Sequence, residues 1–505
     1  MDNTETLSGL REELVLEIHT LLENFEHIDE NSESYKPIYA KINQIEFRNN
    51  KFYLSGDLLT DKLIKFDSQY FNDNEFHQGI KPVYFGFETT ISLESVWHRA
   101  NQVTKFIFKN LSETEVDFSN YYELIDKLDE LQEFNELENV FSTKKYNLFN
   151  TLFSIKYDKH YYRASIFFSA SPFQLYEKGI RFDQIKDNSY LVHAHYSRIK
   201  ELQNTDISNT LLHFRPSILR EYNVGQGNFS ELIDDHNQKI VFDAGFTYLD
   251  KHDNFSGARQ ELQDLEAECY FISHFDLDHI LGTIYLKDSE FLKNKLWIIP
   301  KPNIANTSPN ADRLIWYLYN NAKLRMIEDS THSNIFVFNP SISIYKGKAK
   351  TTRQEHSSLY ANCSGIMISA KGNNKTALLP GDCLYNYWSS QILNSSGSLK
   401  YDCLIVPHHG CKIKQLANIK IIGNQNATAI VPVGKKQNDY HHPDYNHIKE
   451  LDNNGFSTIY LTVDLRNSIN INAVKPVKYG KSDECITLKY YPDKSPQDYL
   501  NFSLI

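Results

Sequence analysis

Residues 270–282 read Tyr-Phe-Ile-Ser-His-Phe-Asp-Leu-Asp-His-Ile-Leu-Gly, which puts His274, Asp276, Asp278 and His279 within six residues. Imidazoles and carboxylates this close together make a poor packing pattern and a good ligand pattern. They suit zinc, manganese or iron(II). The apolar run from Cys269 to Ile272 reads as a strand. A strand ending at Ser273 would release these side chains into a loop at a sheet edge, with His274 and Asp276 facing one side and Asp278 and His279 another.

Two later stretches repeat the arrangement of an apolar strand followed by ligand-type residues. Thr376-Ala-Leu-Leu runs into Pro380-Gly381 and delivers Asp382. Asp402-Cys-Leu-Ile-Val runs into Pro407, then His408, His409 and Gly410. Asp382 could bridge two metals or complete the shell of one. Taken alone it is more often an ordinary turn aspartate, and the two histidines are equally an ordinary surface pair. A weaker fourth stretch, Val433 to Pro443, offers Asn438, Tyr440, His441 and His442.

The elements that must carry these groups are legible as short strands after residue 210. They are Leu219 to Val224, Lys239 to Phe242, Cys269 to Ile272, Leu296 to Ile299, Ile335 to Phe338, Gly365 to Ser369, Thr376 to Leu379, Cys403 to Val406, Ala429 to Val433, Thr458 to Thr462 and Ile486 to Tyr490. Candidate site residues repeatedly follow a strand directly, so the pattern predicts a site along one sheet edge. The region before that carries no recognisable chemistry. Residues 9–28 have helical apolar spacing, and Lys51 to Ser55, Lys105 to Lys109 and Ala164 to Ser169 alternate like strands. Residues 113–140 are acidic with helical spacing, the pattern of a solvated helix face. The polar stretch Gln203 to Thr210 reads as a linker. The division expected is an N-terminal mixed, strand-rich α+β domain over 1–205 and a second domain over 210–495.

Composition bounds the function. A chain of 505 residues is too long for one ordinary core. Hydrophobic content of 41% excludes a disordered chain. A net charge of −11 argues against a broad nucleic-acid-coating surface while leaving room for a local basic groove. The six cysteines form no C-x-x-C pair, which suits a reduced protein rather than a disulfide framework. No basic-then-apolar leader and no apolar stretch of about 18 residues is visible, so the expectation is a cytoplasmic protein with no membrane span.

Taken together, the motifs resemble the metallo-β-lactamase-fold hydrolases. The closer resemblance is to the branch seen in the hydrolase domain of the bacterial DNA-uptake (competence) channel protein and its soluble relatives. It covers about residues 215–490. Glu221-Tyr-Asn-Val-Gly-Gln-Gly-Asn resembles that branch's V-G-Q-G-D turn, and Val241-Phe-Asp-Ala-Gly its strand ending in D-x-G. His274 to His279 matches the signature H-x-[HD]-x-D-H, Pro380-Gly-Asp the G-D step and Pro407-His-His-Gly the H-H-G step. Asn438-Asp-Tyr-His-His-Pro matches the N-x-Y-x-H-P step. Asp276 stands where the wider family more often has His, a choice shared with the branch, and Asn228 stands where the branch often has Asp. In place of the wider family's third-motif histidine stands His356 to Gly365, where Asn362 resembles the branch's Asn-x-Ser.

The resemblance implies a four-layer αββα sandwich (α/β in class) holding one or two divalent ions, zinc or manganese. Asp278, His279 and Asp382 would hold one ion. His274, Asp276 and a shared Asp382 would hold the other, with His408 and His409 closing the shells. His442, Tyr440 or Lys412 would stabilise charge or protonate the leaving oxygen, beside Asp278 at the reacting centre. Asp243 would orient a neighbouring loop or ligand. Gly225 and Gly227 would permit a tight turn near the metals. The function implied is hydrolysis of phosphodiester bonds in nucleic acid or nucleotides, with Lys412, Lys414, Lys435 and Lys436 as a local positive rim. The alternatives are hydrolysis of another ester or amide, or a subunit of a multi-protein bacterial system. In that last case residues 1–205 would recognise a protein partner, and antiphage defence operons are one setting for soluble relatives of the branch.

Overall fold

The computed structural model describes residues 38–60, 85–98, 102–112, 120–133, 140–141, 152–157, 163–168, 171–175, 180–184, 196–246, 256–286, 295–302, 308–328, 336–347, 362–372, 375–388, 392, 398–413, 420–434, 442–462, 477–479 and 485–489. They fall into two compact units. One takes the described residues up to Tyr196 together with those of Asn303–Asn320, and the other takes the rest.

The first unit is built on a seven-stranded sheet of β1 (Ile38–Arg48), β2 (Lys51–Thr60), β3 (Phe85–Ser92), β4 (Leu152–Tyr157), β5 (Arg163–Phe168), β6 (Ser171–Leu175) and β7 (Ile180–Gln184), ordered β6-β5-β3-β2-β1-β4-β7. Every pairing is antiparallel. Asn49 and Asn50 turn the first hairpin with positive φ at both positions, the conformation a two-residue hairpin loop requires. Lys105 to Lys109 do not form the strand their alternation suggests; they lie in the helix Gln102–Ser112. Ile107 and Leu111, four apart, are buried, while Lys105 and Lys109, also four apart, are exposed. The four-residue period therefore overrides the two-residue one. Within the acidic stretch, the helix Tyr121–Glu133 buries Leu124, Leu128 and Leu131 and exposes Glu123, Asp126 and Glu130. The helical spacing over 9–28 lies outside the described residues.

The second unit contains β8 (Lys200–Glu201), β9 (Pro216–Tyr222), β10 (Phe229–Asp234), β11 (Lys239–Ala244), β12 (Cys269–Phe271), β13 (Leu296–Pro300), β14 (Lys323–Ile327), β15 (Phe336–Asn339), β16 (Ile342–Lys346), β17 (Ile366–Gly372), β18 (Lys375–Leu379), β19 (Ser398–Ile405), β20 (Lys420–Val431), β21 (Phe456–Leu461), β22 (Val477–Tyr479) and β23 (Cys485–Lys489). They make two eight-stranded sheets, β23-β9-β10-β11-β12-β13-β14-β8 and β15-β16-β17-β18-β19-β20-β21-β22. Both sheets are antiparallel on one side and parallel on the other. The change falls between β11 and β12 in one and between β18 and β19 in the other.

The two sheets pack face to face. Leu232, Ile240, Phe242, Cys269 and Phe271 of one share a buried core with Ile344, Ile368, Leu379, Cys403 and Ile430 of the other. This is a mixed αβ sandwich. The second sheet's outer face, with Leu378, Leu404, Ala429 and Val431, is covered by Ile448 and Leu451 of the helix Tyr445–Asn453. Asp444 caps that helix, its carboxylate accepting from the Asn446 and His447 backbone N–H groups.

Gln203 to Thr210 is not a free linker. Asp206 accepts from the Gln203 backbone N–H and pairs with Arg325 at 2.8 Å and Lys323 at 3.2 Å. Leu202, Ile207 and Leu211 enter the shared core. Three apolar side chains spaced four or five residues apart anchor a stretch whose polar composition disguised them. Among the described residues no helix is long and apolar enough to cross a membrane.

Candidate metal centre

The ligand-type residues follow the strands that flank the two places where the sheets change from antiparallel to parallel. Asp243 lies at the end of β11, Ser273 to Asp278 follow β12, Asp382 follows β18, and His408 and His409 follow β19. Carboxyl ends of strands at such a change leave a crevice, because neighbouring connections depart in opposite directions.

Three imidazoles there present the same nitrogen inward. Asp243 Oδ1 accepts the Ser273 backbone N–H at 2.6 Å, and its Oδ2 accepts Ser273 Oγ at 2.8 Å and His279 Nδ1 at 2.8 Å. A carboxylate only accepts, so His279 Nδ1 carries the hydrogen and Nε2 faces the cluster. Ser273 Oγ spends its hydrogen on Asp243, so His274 Nδ1, 2.9 Å away, donates to it. His409 Nδ1 donates to the Pro432 carbonyl at 2.9 Å. Asp243 thereby sets the tautomers of both His274 and His279.

The inward atoms converge on two carboxylates. His279 Nε2 lies 3.1 Å from Asp382 Oδ1 and 4.0 Å from Asp278 Oδ1. His409 Nε2 lies 3.1 Å from Asp278 Oδ2 and 3.8 Å from Asp382 Oδ1. His274 Nε2 lies 3.4 Å from Asp276 Oδ2 and 3.9 Å from Asp382 Oδ2. Two sets of ligand atoms lie within 4.8 Å of one another, His274 with His279 and Asp382, and Asp278 with His279 and His409. His279 Nε2 stands in both sets, and the Asp382 carboxylate lies within 3.9 Å of Nε2 of His274, His279, His408 and His409. His408 Nε2 stands 3.9 Å from Asp382 Oδ2, and Asp276 is the most exposed of the group at 35%. The His442 ring is half-buried, 5.6 Å from His408 and 6.4 Å from His409. Lys412 is exposed just past the histidine turn. Tyr440, Lys414, Lys435 and Lys436 lie outside the described residues.

Backbone close approach explains two glycines. A Cβ on Gly245 would meet the Asp278 carbonyl oxygen at 1.9 Å, and one on Gly227 would meet the same oxygen at 2.8 Å. The D-x-G and V-G-Q-G turns therefore cradle the Asp278 backbone, which also accepts the Asn228 N–H at 3.3 Å. On the opposite side, His408 and His409 both adopt left-handed φ, 49° and 52°. A non-glycine residue there costs on the order of 1–3 kcal/mol and persists only where its surroundings hold it.

The electrostatics show what the cluster lacks. His279 Nε2 and Asp382 Oδ1 are buried with no hydrogen-bond partner. Burial alone would lower the His279 pKa, but the carboxylates of Asp382, Asp243 and Asp278 outweigh it and hold it well above the usual imidazole range. Burial would raise Asp382, and His279, His408 and His409 instead hold it well below the usual carboxylate range. Asp278 is lowered against its own burial by His279 and His409. Three carboxylates around one imidazole demand positive charge at Nε2, which a proton or a divalent ion can supply. The donor set of imidazole nitrogens and carboxylate oxygens fits zinc or manganese.

The expected role of Asp243 agrees with its bonds to Ser273 and His279. Ser273 escaped the sequence reading because a serine at a strand end carries no signal of its own. Glu221 escaped too. Burial pushes its carboxyl up to about 8, beyond what the Ser230 hydroxyl bond takes back, and its Oε1 has no partner. Nothing local in the strand Pro216–Tyr222 distinguishes it from a surface glutamate.

No family model and no curated protein matches the sequence. Solved structures show slight likenesses. A Thermotoga maritima protein assigned to the metallo-beta-lactamases aligns over 33% of this chain and 79% of its own, at 11% identity and TM-score 0.22. A Thermotoga maritima Zn-dependent hydrolase assigned to the metallo-beta-lactamase superfamily aligns over 52% and 98%, at 13% and 0.26. A Parabacteroides distasonis protein assigned as a metal-dependent hydrolase aligns over 52% and 90%, at 10% and 0.27.

Proposed function

We propose that this chain is a metal-dependent hydrolase of phosphodiester bonds in nucleic acid or nucleotides. One observation carries the metal reading. His274, His279 and His409 each have Nδ1 tied to a neighbour and Nε2 turned toward the carboxylates of Asp278 and Asp382. With Nδ1 held by a neighbour, each imidazole can offer its Nε2 lone pair to a cation, the way metal-ligating histidines are commonly held.

His274, His279, Asp278, Asp382 and His409 would hold one or two divalent ions, with Asp276 and His408 at the rim. Such an ion supplies a water that ionises near neutral pH and a Lewis acid for the attacked oxygen. The protein's own groups do the rest. Asp243 and Ser273 keep the imidazoles aimed, and the buried walls keep the carboxylates short of water. His442, whose ring lies beside that of His408, would hand a proton to a leaving oxygen. Tyr440 remains a candidate for the same task. Lys412, exposed beyond His409, would meet a phosphate of the substrate.

The phosphodiester assignment is supported by the motif resemblance to the DNA-uptake branch, including Asp276 in its place. The test is turnover of bis-p-nitrophenyl phosphate, single-stranded DNA, duplex DNA and RNA with zinc or manganese. Phosphodiester cleavage that requires metal and disappears in Asp278→Ala is the expected result. Bound metal with cleavage only of esters or amides would overturn the substrate assignment, and no bound metal would overturn the whole reading.

A further inference from the structure

The turn carrying His408 and His409 is held from behind by a side chain that takes no part in the proposed site. His447, fully buried on the helix Tyr445–Asn453, donates from Nδ1 to the Cys411 carbonyl at 2.7 Å. Its Nε2 accepts the Tyr385 hydroxyl at 2.9 Å. A neutral imidazole has one donor and one acceptor nitrogen, and both are used here. Burial keeps His447 neutral by pushing its pKa down to about 4.

The two partners belong to the two ligand turns that follow β18 and β19. Tyr385 lies three residues after Asp382, and Cys411 lies two residues after His409. His447 therefore spans from one turn to the other. The backbone joins them more weakly, by the His408 N–H to the Gly381 carbonyl at 3.3 Å. Asp444, which caps the His447 helix, adds its own N–H to the Gly410 carbonyl at 2.8 Å. The chain of bonds ends on a turn whose three residues His408, Gly410 and His409 all have positive φ, a conformation that relaxes unless held.

We propose that His447 is a positioning residue for the metal centre: by joining the Tyr385 hydroxyl to the Cys411 carbonyl it fixes Asp382 and the His408–His409 pair in register. This rests on the proposed metal site. Residues that orient ligands from outside the first layer typically change metal affinity about 10–100-fold when removed.

The test uses the full chain and cobalt(II) or zinc as the probe. Affinity is measured by titration calorimetry, cobalt coordination by its visible absorption band, and folding of the metal-free protein by thermal melting. Tyr385→Phe removes only the hydroxyl and is the variant least prone to misfold. It should weaken affinity severalfold and shift the cobalt band while melting close to wild type. His447→Leu should weaken affinity about 10–100-fold, and His447→Gln, which keeps a donor and an acceptor, should recover part of the loss. Wild-type affinity and an unchanged band in Tyr385→Phe and His447→Gln would overturn the positioning role. His279→Ala separates the two failures. If it abolishes binding while the other variants bind normally, the site stands and this inference falls. If the wild-type chain binds neither ion, both fall together.

Discussion

Each unit buries a cluster of charges, and the two clusters are built on opposite principles. In the first, Lys41, Asp57, Asp312 and Arg313 are all buried, and every acid has donors to meet it. Asp57 accepts from the Asn43 side chain at 2.9 Å and from the Asn310 backbone and side chain at 3.1 and 3.0 Å. Asp312 accepts the Tyr196 hydroxyl, and Arg313 donates to Asn310 Oδ1 at 2.8 Å. In the second, Asp278, Asp382, His279 and His409 crowd together with His279 Nε2 and Asp382 Oδ1 unmatched. A closed network of donors and acceptors supports a structure, whereas a network with its lone pairs turned inward is fitted to receive a cation.

The contrast can be broken most sharply at Asp382. On the proposed function, Asp382→Ala should cut phosphodiester turnover by about 100–1,000-fold, the scale on which a preorganised group acts in a buried site. Metal analysis of the same variant should show fewer ions per chain. Turnover that survives would assign the second cluster to structure like the first.

Asp57→Ala makes the complementary test. It takes from buried Lys41 one of the two carboxylates that act on it, Asp312 being the other, and removing one partner from a buried charge cluster costs up to about 3–5 kcal/mol. Urea unfolding should record that loss, while metal content per folded chain stays at the wild-type value. Metal lost alongside stability would mean that the two clusters do not serve separate ends.

Glu221 sharpens the comparison from a third direction, as a buried acid kept neutral. Its folded pKa of about 8 lies above the ordinary 4.5. The folded chain therefore retains a proton that the unfolded chain releases, so stability is fully present below pH 4.5 and is lost as pH rises toward 8. The loss between pH 5 and 8 should be on the order of 3 kcal/mol. In Glu221→Gln that share of the slope should vanish, as measured by denaturant unfolding of metal-free protein across the range. An identical slope would show Glu221 ionised in the fold.

The smallest effect belongs to the rim. Lys412→Ala should raise KM on a nucleic-acid substrate a few-fold with kcat little changed. It should also lower the slope of log affinity against log salt by about one, as losing one phosphate contact does. An unchanged salt slope would remove Lys412 from substrate binding.

Much of the second unit was legible because its signals are local. An apolar run such as Cys269 to Ile272 must be buried, and polar residues directly after it must sit where the strand leaves the sheet. Every strand named from Leu219 onward is present within a few residues. The ligand candidates were legible for a related reason, since His and Asp side chains grouped at strand ends have few other uses. The misreadings were ones of period and composition. Lys105 to Lys109 satisfies a two-residue alternation over five residues, too short to reveal the four-residue spacing of Ile107 and Leu111. Gln203 to Thr210 is polar enough to hide a single core residue, Ile207.

The sequence alone determined that imidazoles and carboxylates follow directly on apolar strand runs. Only the tertiary structure decided how they meet. It turned His279 Nε2 toward both Asp382 and Asp278, recruited Ser273 and Pro432 to choose tautomers, and joined residues 309–320 to a sheet some 250 positions earlier through Asp57 and Asn310. The physical reason is range. Strand and turn preferences act over a few residues, whereas a hydrogen bond that selects an imidazole tautomer, or an oxygen left unmatched in the interior, exists only once distant segments have been packed against each other.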